Sequence, residues 1–109
     1  MKVRYTPKAL EDLQNIKESI LETSGSEELE KKILKKMTMS INDLEIFPYK
    51  GAELSLTLGI NTDYRSLYVQ KNYVFYRVDK EYVSIVRILN EKQDYMRILF
   101  GIIEVEDGE

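Results

Sequence analysis

The chain contains no cysteine and no histidine among its 109 residues. Disulfide frameworks, thiol nucleophiles, histidine-based acid–base catalysis and the usual zinc sites are therefore excluded together. Whatever chemistry it performs rests on Arg, Lys, Tyr, Asp, Glu, Ser or backbone groups, and the composition asks for no cofactor and no metal. No apolar run approaches the ~20 residues that span a bilayer, and the start Met1-Lys2-Val3-Arg4-Tyr5 lacks the apolar stretch of a signal peptide. The expectation is a cytoplasmic protein with no membrane partner. A chain this long buries a core as one domain without cross-links.

Charge is unevenly spread. The net value of −3 combines residues 1–60, with nine basic and ten acidic groups, residues 61–100, with seven and five, and residues 101–109, with none and four. An acidic whole argues against indiscriminate nucleic-acid binding, since phosphate affinity comes from Lys and Arg. A local basic face within 61–100 stays open.

Periodicity organises the rest. Val3 and Tyr5 alternate with Lys2 and Arg4 as in a short half-buried strand. Thr6-Pro7 starts a helix, with the hydroxyl as cap and proline where its missing N–H is harmless. Leu10, Leu13, Ile16, Ile20 and Leu21 then fall on one face. Ser24-Gly25-Ser26-Glu27 breaks this helix and opens a second, capped by Ser24 or Ser26. The second helix carries Leu29, Ile33, Met37, Ile41 and Leu44 on one side and Lys31, Lys32, Lys35 and Lys36 on the other, until Pro48 stops it. Residues 49–62 read as a loop with a short extended piece, Leu54, Leu56 and Leu58 alternating.

Three strands follow: Arg65 to Val69, Asn72 to Val78 and Tyr82 to Leu89, with Asp79-Lys80-Glu81 as a turn. Strict alternation puts Val74, Tyr76, Val78, Val83, Ile85 and Leu89 on the face that receives the helices. Tyr73, Phe75, Arg77, Tyr82, Ser84, Val86, Ile88 and Asn90 fall on the other, which is the candidate surface for a partner or nucleic acid. Asp94 to Phe100 predicts a short helix. Arg87 falls on the core face, where a charge must be paired, so a structural role is expected for it.

The order strand, helix hairpin, antiparallel strands, with the runs Tyr64-Arg65-Ser66-Leu67, Asn72-Tyr73-Val74-Phe75-Tyr76-Arg77-Val78 and Val86-Arg87-Ile88-Leu89-Asn90-Glu91-Lys92-Gln93-Asp94-Tyr95, resembles the RelE/ParE toxin superfamily, which includes plasmid stabilisation proteins. Thr6-Pro7, Ala9 and Asp12-Leu13 are similar to that family's opening, and Phe47-Pro48 with Gly51 to its stretch after the second helix. The resemblance implies an α+β fold: an N-terminal strand, an antiparallel helix hairpin, an antiparallel β-meander packed on the helices, and a short C-terminal helix. Residues 1–100 would form the toxin domain and 101–109 an acidic tail, read as a frayed terminus.

The resemblance also implies a type II toxin–antitoxin toxin, neutralised by a cognate antitoxin that carries the contact with operator DNA. Members of the family act in two ways, by inhibiting DNA gyrase or by cleaving mRNA on the ribosome. A metal-independent nuclease of the second kind needs cationic groups and a proton donor at the phosphate. Arg65, Lys92 and Tyr95 are the candidates, with Arg65 and Lys92 at positions where nuclease members carry basic residues. Tyr73, Phe75, Arg77, Asn90 and Arg97 are the candidates for partner or nucleic-acid contact. Asn90 stands where many relatives have His and Tyr73 where nuclease members have Arg. Gyrase inhibition is therefore favoured slightly over cleavage, and a non-toxic antitoxin-binding module is the third alternative.

Overall fold

The computed structural model describes residues 1–101, so the acidic segment Glu104–Glu109 lies outside the described residues. The order is β1 (Lys2–Tyr5), α1 (Pro7–Ser24), α2 (Glu27–Asn42), β2 (Ala52–Glu53), α3 (Leu54–Leu58), β3 (Arg65–Val69), β4 (Asn72–Val78), β5 (Tyr82–Asn90) and α4 (Tyr95–Phe100), with a 3₁₀ turn at Asp43–Glu45 after α2. The five strands form one sheet in the order β1-β5-β4-β3-β2. β3, β4 and β5 make the antiparallel meander, while β1 joins parallel to β5.

The helix boundaries follow from local chemistry. Thr6 Oγ1 accepts the Ala9 N–H at 3.1 Å and its own hydroxyl hydrogen goes to the Val86 carbonyl, so one side chain caps α1 and ties it to β5. Gly25 ends α1 with φ of 67°, a conformation that glycine adopts without strain. Ser26, not Ser24, caps α2 by accepting the Leu29 N–H; the Ser24 hydroxyl turns back to the Ile20 carbonyl. Helix α2 yields to the 3₁₀ turn at Asp43, several residues before Pro48.

Three expectations are corrected. The buried stripe of α1 runs through Ala9 and Asp12, with Leu13 and Ile16 packed beside it, and leaves Leu10 54% exposed. The Leu54–Leu58 piece is one turn of helix, not extended chain. Its leucines are spaced so that Leu54 and Leu58, four apart, share a face against the sheet while Leu56 points to solvent.

The third correction concerns the sheet faces. Phe75 pairs with Arg87 and Tyr76 with Ile85, so Val86 is an extra residue in β5 and the ladder shifts there. Such a bulge breaks the two-residue period. Beyond it Ile88 enters the helix-side core with Ala9, Met37, Ile41, Leu44, Val74, Tyr76, Val83 and Ile85. Leu89 turns to the other side, with Leu54 and Phe75. Around Phe75 and Leu89 that second side is not an open surface, because α4 and α3 cover it; toward Arg77 and Ser84 it stays accessible.

Candidate functional site

The bulge is held by a group that sequence periodicity left unassigned. Asp12, 6% exposed on the inner face of α1, accepts from Arg87 Nε at 2.8 Å, Arg87 Nη2 at 3.0 Å and the Ile88 backbone N–H at 2.9 Å. One carboxylate thus satisfies a guanidinium and the backbone amide of Ile88, two residues past the bulge. The hydrogen bonds that Arg87 donates to the Asp12 carboxylate hold its guanidinium above the ordinary range. The Asp-Leu of the opening motif was its only trace in the sequence.

Arg65 is equally engaged. Its guanidinium donates to the Tyr49 and Gly51 carbonyls and, at 2.8 Å, to Glu53 Oε1, and it lies over the Tyr49 ring. Its side chain is 17% exposed. The Gly51 N–H in turn donates to Tyr76 Oη at 2.8 Å. A Cβ on residue 51 would stand 2.6 Å from that oxygen and 2.7 Å from the Ser66 carbonyl, which is why the close approach requires glycine. Burial pushes the Tyr76 phenol up, against the opposing pull of the Gly51 amide and Arg65.

Lys92 and Tyr95 lie elsewhere. β3 runs from Arg65, paired with Tyr76, to Val69, paired with Asn72, and Asn72 pairs with Asn90. Arg65 is thus separated from the Asn90–Lys92 corner by about 13 Å along the strand direction and by two strand spacings across the sheet. Asn90 is used locally: its Oδ1 accepts the Lys92 N–H and its N–H donates to Gln93 Oε1. The Tyr95 ring sits against Tyr73 at 5.5 Å and Phe75 at 5.4 Å, and Tyr73 also meets Tyr68 at 5.2 Å. Phe75 is 0% exposed. It is a core residue beneath α4 and presents no contact surface in this conformation. Tyr68 is exposed and donates to Glu91 at 2.6 Å, which raises its phenol above the usual range.

The remaining candidates are Arg77 and Arg97. Arg77 forms a two-pronged bond to Asp63 Oδ2, lies over the Tyr64 ring, and lines a cleft of about 470 Å³ with Arg4 and Asp79. Arg4 is itself 3.6 Å from Asp79. Arg97 is exposed at the C-terminal turn of α4. Of the four arginines in residues 61–100, Arg65, Arg77 and Arg87 each carry a carboxylate partner. These three guanidiniums are therefore already engaged by carboxylates, which weakens them as free phosphate contacts.

A different feature is exposed. After the 3₁₀ turn, Ile46 and Tyr49 project to solvent, as does Phe47 at 63% exposure. The segment is fixed from beneath: the Phe47 N–H donates to the Asp43 carbonyl, the Lys50 N–H to the Phe47 carbonyl, and Lys50 reaches Asp43 at 3.7 Å. Ile46, Phe47 and Tyr49 thus form an exposed apolar ridge on a hydrogen-bonded turn.

Comparison with known proteins decides the family. The family model described as the ParE toxin of type II toxin–antitoxin system, parDE, matches residues 3–95. The chain belongs to this ParE toxin family. It is accordingly the toxin component of a type II toxin–antitoxin system. A chain in the solved structure of the chromosomal ParDE TA system from P. aeruginosa has a TM-score of 0.69 and 22% identity, covering 83% of this chain and 95% of its own. At that identity the likeness shows the shared fold. No curated protein matches the sequence. In the ParE-family toxin no helix among the described residues is long and apolar enough to cross a membrane.

Proposed function

We propose that this ParE-family toxin arrests growth by binding a protein target, DNA gyrase, and that it does not cut RNA. The observation that carries the proposal is the state of Arg65. A group that stabilises a phosphorane must be free to meet it. The Arg65 guanidinium already has three hydrogen-bond acceptors and an aromatic face, and it stands at the opposite end of β3 from Lys92. Arg65, Lys92 and Tyr95 thus make no convergent set. The Ile46–Phe47–Tyr49 ridge supports the protein-binding reading, because exposed aromatic side chains on a fixed backbone bind with little ordering cost.

In this reading residues 1–100 form the active domain in the cytoplasm, and a cognate antitoxin neutralises it and carries the complex to operator DNA. The test is supercoiling of relaxed plasmid by purified gyrase with the toxin in molar excess. Inhibition that weakens at least tenfold in Phe47→Ser, with an unchanged melting temperature, is expected. Unaffected supercoiling overturns the gyrase target. If primer extension on induced cells then finds breaks in translated mRNA, Lys92 and Arg97, both exposed beside Tyr95, become the residues to replace.

A further inference from the structure

Beyond the part that α3 and α4 cover, the outer face of the sheet carries a cleft of about 470 Å³. Its floor is a row that register places side by side across three strands: Arg4 of β1 pairs with Ser84 of β5, and Ser84 with Arg77 of β4. At the usual strand spacing the two arginine backbones stand roughly 10 Å apart with the serine between them. The row lies clear of the bulge, so regular alternation keeps all three side chains on one face.

Both guanidiniums are held before any partner arrives. Arg4 lies over the Tyr82 ring at 4.3 Å, and its Nε donates to Ser84 Oγ at 2.8 Å. It meets Asp79 only at 3.6 Å, too long for a hydrogen bond. Arg77 lies over the Tyr64 ring at 5.7 Å and gives both Nε and Nη2 to a single oxygen, Asp63 Oδ2. Among the described residues, Arg77 Nη1 and the Ser84 hydroxyl hydrogen therefore have no hydrogen-bond acceptor, and Asp63 Oδ1 has no donor. A stacked, ion-paired guanidinium has little freedom left to lose on binding.

Charge decides what such a cleft receives. Two cations, Arg4 and Arg77, and two carboxylates, Asp63 and Asp79, line it, so its formal charge cancels. A phosphate backbone gains no net attraction there, since that affinity comes from uncompensated Lys and Arg. A peptide backbone fits better, because its alternating C=O and N–H groups need donors and an acceptor in one place. The cleft is also continuous with the apolar ridge. It shares Asp63, Tyr64 and Val78 with a hollow of about 260 Å³, and that hollow reaches Tyr49, a ridge residue.

We infer that this cleft is the second half of the surface that holds the toxin's protein target, and that an extended segment of gyrase lies in it across Arg77, Ser84 and Arg4. The carbonyls of that segment accept from Arg77 Nη1 and the Ser84 hydroxyl, and one of its N–H groups donates to Asp63 Oδ1. The inference rests on the reading that gyrase is the target. The ridge supplies the apolar anchor, and the cleft fixes the direction of the bound segment. Tyr and Arg, which dominate its walls, are the residues that carry much of the binding energy at protein interfaces.

The ion pairs of the cleft are exposed and contribute little to stability, so Arg77→Ala should melt as wild type does. Ser84→Tyr puts a strand-favouring ring into the cleft without changing its charge.

The experiment measures affinity for purified gyrase holoenzyme by surface plasmon resonance, together with inhibition of supercoiling and the melting temperature of each free toxin. Arg77→Ala and Ser84→Tyr each bind at least tenfold more weakly while melting as wild type does. Arg77→Asp combined with Asp63→Arg, which rebuilds the ion pair with its charges exchanged, does not recover the affinity. Lys17→Ala, exposed on α1 at the opposite side of the sheet, binds as wild type does. Wild-type affinity in both cleft variants overturns the inference and leaves the gyrase reading standing. Recovery in the exchanged pair, or affinity that falls only together with melting temperature, overturns it as well, since the residues would then be structural. A wild-type toxin that neither binds nor inhibits gyrase overturns that reading and the inference with it. Tight binding of a single-stranded RNA oligonucleotide that is lost in Arg77→Ala also overturns the inference and assigns the cleft to phosphate.

Discussion

On one side of the sheet, helices of 18 and 16 residues close a core in which Asp12 binds Arg87 and the backbone amide of Ile88. On the other, α4, a helix of six residues with none fully buried, covers Phe75 and Leu89 through the rings of Tyr95 and Phe100. The first side is fixed by long-range polar bonds that have one geometry. The second is held by aromatic contacts at 5.2–6.0 Å, which tolerate tilt and exchange of partners. Two sides of one sheet thus differ in how sharply they resist substitution.

The sharpest way to break the helix side is Asp12→Ala. It strands the Arg87 guanidinium and the Ile88 N–H together, and urea unfolding should show a loss of about 3 kcal/mol. Asp12→Asn keeps an acceptor for the amide and should fall between that variant and wild type. Gly51→Ala follows, with a loss of about 2 kcal/mol, because its Cβ meets the Ser66 carbonyl, a backbone atom that cannot rotate away. On the α4 side, Phe100→Ala removes the partner of Tyr64, at 5.8 Å, and should lower stability by only about 1 kcal/mol. A loss there equal to that of Asp12→Ala would show that the two sides are equally rigid.

The smallest effect concerns the turn between β4 and β5. Asp79 Oδ1 accepts the Tyr82 and Glu81 amides, and these bonds, in that order, hold its carboxyl below the usual range. A depressed carboxyl contributes stability that is complete above its unfolded value of about 3.9 and is lost as the pH falls through the folded value. Asp79→Asn should therefore lose less of its melting temperature than wild type does between about pH 5 and pH 2. Parallel curves for the two proteins would remove the carboxylate from the turn.

Much of this organisation is legible in the residues. Thr6-Pro7 and Gly25 mark the ends of α1 by their capping chemistry, and Met37, Ile41 and Leu44 mark the buried side of the second helix. Those signals are local, set by spacing along one segment. The bulge at Val86 is not local, because an extra residue in β5 is defined only by its register against β4. It exchanged Ile88 and Leu89 between faces and made the expected open surface at Phe75 a covered one.

The candidate site divides in the same way. The sequence by itself determined which arginines, tyrosines and lysines were present, and the order of motifs that resembles the toxin superfamily. Tertiary structure alone decided that Arg65 is bound by Tyr49, Gly51 and Glu53, that Arg87 answers a carboxylate 75 positions away, and that Asn72 keeps an acceptor without a donor. The physical reason is that a side chain's availability depends on its partners in space, and the chain brings those partners from distant segments only when the sheet has closed.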